Sequence, residues 1–382
     1  MPSHSAATAA DTSEPAFVLA RPHRTVVGRG VGRIFHSARE AVDALHSGQV
    51  SHIVGALPFA PDAPAALFAP ESVSVTAGAY RPEAPKNLPR FDIDAALPSP
   101  DTHMQRVAAA VRLLGDESHP LRKVVLARGI RARASRPLKP VEFLDLLVST
   151  DPVGNGFLVD LSAAGNDYRG RHFVGSSPEV LVRRDGGDVL SHPLAGSARR
   201  APDADADRAA ADNLLASSKD QHEHRYVVDQ VSGVLRDRCA TVHAPGGPEL
   251  TGTPEMWHLG TPITATVPAD GPSALELAAA LHPTPAICGT PTADAARLIA
   301  ELEGDRGFYA GAVGWCDADG NGEWMVSIRC AELAADGLSL LAHAGGGIVA
   351  ESDPAAELAE TIGKFQRVLG PLGIADLPVT VA

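Results

Sequence analysis

Hydrophobic positions along the chain change period several times, and each change marks an element. FVLARPHRTVVGRGVG (17 to 32) reads as two short strands around a turn at Arg21 to Arg24, SAREAVDALHSG (37 to 48) as a helix and HIVGALPFA (52 to 60) as a buried strand. From Ala79 to Pro100 prolines recur and periodicity fails, which predicts a long connection. HMQRVAAAVRLLGD (103 to 116) is helical, with apolar residues at 107, 111 and 114, and KVVLARGIRARA (123 to 134) alternates as a strand that starts on Lys123. VEFLDLLVST is a helix behind Pro140, GFLVDLSA a strand, and RRDGGD (183 to 188) the turn of a hairpin. One long helical zone is expected over 206 to 238, extended chain over 252 to 267 and a helix over 273 to 282.

The last hundred residues repeat this grammar. TADAARLIAELEG is a helix, FYAGAVGWCDADGNGEWMVSIRCAEL a hairpin closed at Asp319 to Gly322, and LSLLAHAGGGIV a strand running into glycines. The final helix, DPAAELAETIGKFQRVLG, has Asp353 as its cap and Pro354 at its first position. Strand pairs followed by helices, without strict alternation, predict an α+β fold with large antiparallel sheets and helices outside.

Composition narrows the function. The formal charge of −13 argues against a nucleic-acid surface and gives no long-range help to an anionic ligand, so an acidic substrate must rely on local cations. Cys239, Cys288, Cys316 and Cys330 form no CxxC pair, which excludes common zinc spacings and fits a reduced, cytoplasmic protein. No apolar run approaches the roughly 18 residues of a membrane span. Residues 1 to 16 are rich in Ala, Ser and Thr, include Asp11 and Glu14, and are expected to form a disordered tail rather than a signal peptide.

Several motifs resolve to ordinary structure. Gly28, Gly30 and Gly32 miss the dinucleotide spacing. DADGNGE (317 to 323) begins like a calcium loop, but its twelfth position is Ile328, so a hairpin turn is expected. GSSPE (175 to 179) has Glu179 where a nucleophile elbow needs glycine. His222 and His224, two apart on a helix, point roughly 200° away from each other and cannot share one ion, which leaves Glu223 between them.

Glu357, Glu360 and Lys364 share one face of the final helix, just after the AGGGIV glycines (344 to 349), which are expected to form a tight passage into that helix. Glu223 and Glu360 on separate helices would suit Mg²⁺, which takes one or two carboxylates and keeps water. Lys123 opens a strand, either as an edge lysine that blunts pairing or as a functional group. Arg329, between Ile328 and Cys330 in an apolar strand, needs an anion from the protein or from a ligand.

KVVLAR, GSSPEVLVRRDG, PLAGSARR, LLASSKDQHEH, MWHLGTP, LHPTPAICGTP, GWCDADGNGEWMVSIRCAEL and the AET of the last helix, in this order, resemble the chorismate-utilising enzymes, and within them the isochorismate-forming branch. The resemblance runs from about Phe17 to the C-terminus. It implies a single α+β domain over 17 to 382, with a large antiparallel β core, acting as a monomer on chorismate with Mg²⁺. It assigns Lys123 as the base that activates water for addition at C2, and Glu179 as the acid that protonates the departing C4 hydroxyl. Glu223 and Glu360 become Mg²⁺ ligands, with Glu357 as a further carboxylate behind them. Gly196, Ser197, His258, Ala286, Arg329, Gly345 and Lys364 become substrate contacts.

The base requires a lysine pKa brought down from about 10.4, by burial or a neighbouring cation, and the acid requires a carboxyl kept protonated near neutrality. Ammonia-using relatives carry Gly-Ala-Pro-Lys where this chain has Gly289, Thr290, Pro291 and Thr292, and salicylate-forming ones have threonine where it has Ala286. Gly346 departs from the expected alanine and is read as loosening a turn. The compact length and WHLGTP favour supply of 2,3-dihydroxybenzoate for siderophores, with menaquinone synthesis and salicylate formation as the alternatives.

Overall fold

A computed structural model describes residues 14–378. The chain opens with β1 (Pro15–Ala20), β2 (Arg24–Arg29), β3 (Ile34–Phe35), α1 (Ala38–His46), β4 (His52–Leu57), β5 (Ala66–Phe68) and β6 (Ser72–Ala77). It continues through β7 (Phe91–Leu97), α2 (Pro100–Leu114), β8 (Lys123–Ala134), α3 (Pro140–Ser149), β9 (Gly156–Asp160), β10 (His172–Gly175), β11 (Val180–Asp185), β12 (Asp188–His192) and β13 (Leu194–Arg199). Next come α4 (Ala204–Ala216), α5 (Ser218–Arg236), β14 (Thr241–His243), β15 (Glu249–Gly252), β16 (Met256–Gly260), β17 (Ile263–Thr266), α6 (Ala274–Leu281) and β18 (Gly289–Thr290). The chain closes with α7 (Thr292–Glu303), β19 (Ala312–Asp317), β20 (Gly322–Val326), β21 (Cys330–Leu333), β22 (Ser339–Ile348) and α8 (Pro354–Leu369).

Two large sheets dominate, one ordered β18-β8-β22-β21-β10-β9-β1-β2-β6 with β7 also on β8, the other β14-β17-β12-β11-β20-β19-β4-β5-β3. Strands β13, β16 and β15 make a small third sheet. The described pairings are antiparallel, so the α+β expectation holds. One apolar core brings together residues of both large sheets, α2, α5, α6 and α7; a second lies between the first sheet and α3 and α8. No described helix is long and apolar enough to cross a membrane.

Five expectations need correction. The tail drawn over 1–16 lies outside the described residues up to 13, and Pro15 and Ala16 already belong to β1. The proline-rich stretch 79–100 is not only a connection: FDIDAAL forms β7 on the far half of β8, across a register shift between Ile93 and Ala95. The helical zone 206–238 is two helices, broken at Ser217, whose Oγ accepts from Asp220 N to cap α5. The glycines of AGGGIV lie within β22, paired with β8, and are no turn. Lys123 is no edge lysine, because β18 and β22 flank the start of β8 and its side chain is 0% exposed. The hairpin read over 317–323 is present: Asp317 Oδ1 accepts from the N–H groups of Asp319 and Asn321, so this carboxylate closes its own turn.

Candidate active site

The chain passes between the two large sheets twice at one place. Residues 176–179 lead from β10 to β11, and residues 327–329 lead back from β20 to β21. The two passages are hydrogen-bonded to each other, Ser176 N to Arg329 O at 2.9 Å and Val326 N to Glu179 O at 3.1 Å. Away from regular pairing, both can aim a side chain along the seam, and they carry Glu179 and Arg329. Arg329 therefore does not sit inside a strand, as the apolar pattern implied. It adopts φ +52°, a left-handed conformation that costs a non-glycine residue on the order of 1 kcal/mol.

Further contacts hold that conformation. Ser176 Oγ donates to Asp151 Oδ2 at 2.8 Å and accepts from the buried Arg367 of α8, Nη2 at 3.0 Å. Arg367 also donates to Leu147 O at 2.6 Å and Thr150 O at 3.1 Å and pairs with Asp151 at 3.2 Å. The Arg329 guanidinium is buried and meets His258 Nε2 at 3.3 Å. Burial, with the charges of Arg329 and Lys364, pushes His258 far below the usual imidazole range, so the pair carries one positive charge.

Glu179 is 2% exposed. Burial raises its carboxyl to about 7, against the opposing pull of Leu194 N, 3.4 Å away, and of the cations Lys123, Arg329 and Lys364. A carboxylic acid with this balance keeps its proton near neutrality, as an acid catalyst must.

Three carboxylates gather where β22 passes α5 and α8. Glu223 Oε1 is 3.0 Å from Lys123 Nζ, and a Cβ on Gly347 would collide with that oxygen, so glycine is what lets β22 run beneath the pair. Glu360 accepts from Ser197 Oγ at 2.8 Å and pairs with Lys364. Burial works to raise the Glu360 carboxyl, and Lys364, Ser197 and Lys219 outweigh it, so it stays ionised. Glu357, raised by burial and by the Glu360 charge, binds Lys219 Nζ at 2.9 Å and Ser352 Oγ at 2.7 Å through Oε1, while its Oε2 is buried without a partner among the described residues. A Cβ on Gly346 would lie 2.8 Å from that Oε2, so the glycine here makes room for a carboxylate and loosens no turn.

Among the described residues no three Asp, Glu, His or Cys side chains form a closed metal cage. An oxygen-only set with one unpartnered carboxylate oxygen nevertheless fits Mg²⁺, which keeps several waters and uses few protein ligands.

Most of these groups line one cleft. Ten of the twelve residues singled out from the sequence face it; Lys123 and Glu357 do not. Gly196, at φ +82°, is a necessary glycine, and Ala286 is a small apolar patch of the wall. The Gly345 carbonyl turns away from β8 to accept from Lys364 Nζ at 2.8 Å. In a strand the N–H of a residue points to the same side as its carbonyl, so this donor also faces the cleft. His224 confirms the divergence read for the two histidines: it is buried against Ala195 O at 3.1 Å and Thr261 Oγ1 at 2.7 Å, while His222 lies against Tyr226.

Sequence reasoning passed over Lys219 and Tyr309. Lys219 stands four residues before Glu223 on α5, a spacing that could have flagged it. Tyr309 lines the cleft stacked on His343, and burial holds its phenol protonated; nothing in its flanking sequence marked it.

The profile of one family, described as chorismate binding enzyme, matches residues 72–373. The chain belongs to the chorismate-binding enzyme family. Within it the chain stands with the isochorismate synthases. It is 49% identical over 362 residues to the "Putative isochorismate synthase MenF" of Mycobacterium tuberculosis, which covers 94% of this chain and 97% of that relative. It is 38% identical over 379 residues to the "Isochorismate synthase DhbC" of Bacillus subtilis, covering 94% of each. A solved structure of the Bacillus anthracis "putative 2,3-dihydroxybenzoate-specific isochorismate synthase, DhbC" superposes with a TM-score of 0.86 at 35% identity, over 96% of this chain and 98% of that one.

Proposed function

We propose that the protein is a Mg²⁺-dependent isochorismate synthase, an isomerase that adds water at C2 of chorismate and expels the C4 hydroxyl. The observation that carries this reading is Glu179: a buried acid with its pKa at about 7, in one cleft with the Arg329 and Lys364 cations and with the Lys123–Glu223 pair at its edge. Glu179 donates its proton to the leaving hydroxyl. Lys123, in its neutral amine form, is the group assigned to take a proton from the attacking water.

Glu223 and Glu360 would hold Mg²⁺, with Glu357 behind them, and the ion supplies positive charge for the ring carboxylate. Arg329, kept cationic beside a neutral His258, holds the second carboxylate with Lys364 and the Gly345 N–H. Gly196, Ser197 and Ala286 shape the wall. A dianion is thus bound by a few local cations although the whole chain is strongly acidic.

We place the product ahead of 2,3-dihydroxybenzoate, in a cytoplasmic monomer. The match to DhbC over 94% of each chain supports this, while the match to the MenF of Mycobacterium tuberculosis over 97% of that relative favours menaquinone synthesis as the second reading. Incubation with chorismate and Mg²⁺ and separation of the products tests the reaction. Isochorismate alone is expected. Salicylate with pyruvate would move the protein to the salicylate-forming branch, and absence of turnover would reject the activity. Light scattering on the eluting protein checks the monomer.

A further inference from the structure

A second cationic cluster lies on the other side of the first sheet, and the proposed reaction does not use it. Arg128 is five residues along β8 from Lys123 and so projects from the opposite face. There α2 and α8 cover the sheet. Arg128 is 1% exposed; its Nε donates to Thr361 Oγ1 at 2.9 Å and its Cζ lies 5.4 Å from the centroid of the Phe365 ring. Nη1 and Nη2 are both buried without a partner among the described residues. Burial lowers the group to about 10, and no carboxylate among the described residues acts on it.

His103 of α2, also 1% exposed, has its Nδ1 buried without a partner among the described residues. Burial and the charges of Arg128 and Arg106 push its imidazole to about 4, so it is neutral at pH 7. Arg106, on the same helix and half-buried, adds a second positive charge. A buried guanidinium without a counter-charge is among the costliest arrangements in a protein interior. The unmet Nη groups can only donate, so they call for an acceptor, and the two cations call for negative charge. A water would answer the first demand and an anion answers both.

We propose that Arg128, His103 and Arg106 form a buried site for one small inorganic anion of the halide class, held between α2, β8 and α8. Arg128 and His103 are both buried where α2 packs against α8 and β8, which favours a small ion over an organic acid. Thr361 follows Glu360 on α8, so the anion braces the back of the helix whose front carries Glu357, Glu360 and Lys364.

The test uses the full chain. Crystals soaked in sodium bromide give anomalous maps, and thermal melts compare sodium chloride or bromide with sodium gluconate at equal ionic strength. The expected result is an anomalous peak against the Arg128 Nη atoms and a Tm several degrees higher in halide, with the difference lost in Arg128→Met and reduced in Arg106→Gln. Water density alone at the guanidinium, or equal melting in halide and gluconate, overturns the proposal. If Arg128→Met does not fold, the wild-type map and melts decide by themselves.

Discussion

Glu179 carries the sharpest residue-scale consequence. Its carboxyl sits at about 7 in the fold against an ordinary 4.5, so the folded state binds this proton more tightly than the unfolded chain does. Raising the pH from 4.5 through 7 therefore removes stability at this position, and the same deprotonation removes the acid. In the pH profile of kcat/KM the alkaline limb is expected near 7. Glu179→Gln, neutral at every pH, should lose on the order of 10² to 10⁴ in kcat while chorismate still binds, and its Tm should fall less than the wild type's between pH 5 and 8. Retention of near-normal kcat would reject the acid role. Glu179, Glu223 and Glu360 were legible because each stands in a distinctive motif. Lys219 and Tyr309 were not, since their importance arises from what folding brings beside them: Glu357 for one, His343 for the other.

At the scale of elements, α8 and the β10–β11 passage behave as one part. Arg367 ties the helix to Ser176, and the Ser176 N–H holds the carbonyl of the left-handed Arg329. Ser176→Ala keeps that N–H but removes the hydroxyl between Arg367 and Asp151. It is expected to raise KM for chorismate about tenfold, as loss of one or two hydrogen bonds to charged groups would, with kcat changed much less. Arg367→Lys, which keeps the charge but not the fork of donors, should shift KM in the same direction. A drop in Tm with KM unchanged would make the cluster purely structural. The sequence signalled α8 and β8 through unbroken periodicity, but not the break at Ser217, because both halves of 206–238 are helical and one capping serine separates them. Strand β7 was hidden for a different reason: its FDID alternation is short and lies among prolines.

Across the whole molecule, the cleft exists because two sheets meet at a seam, and a buried polar tie is among the contacts that join them. Glu323 of β20 in the second sheet accepts from Arg21 Nε at 3.0 Å, at the turn between β1 and β2 of the first, and lies 3.2 Å from His23 Nε2. Arg21 also reaches Asn155. Sheet order of this kind was not legible, since hydrophobic period reports which face of a strand is buried and says nothing of its neighbour. Burial works to raise the Glu323 carboxyl, and His23 and Arg21 outweigh it, so its folded pKa lies below the ordinary 4.5. The stabilisation from this tie is present above pH 4.5 and is lost as the pH falls through the depressed folded value. Arg21→Met leaves the buried carboxylate with His23 as its remaining ion-pair partner among the described residues and is expected to cost about 3 kcal/mol, the lower end for breaking a buried pair. Glu323→Gln with the arginine intact should instead flatten the acid limb of a Tm-against-pH curve. Because the seam positions Glu179 and Arg329 together, Arg21→Met should also weaken chorismate binding well below its melting temperature; unaltered binding would show that the local contacts of Ser176 and Arg367 hold the site without help from the inter-sheet tie.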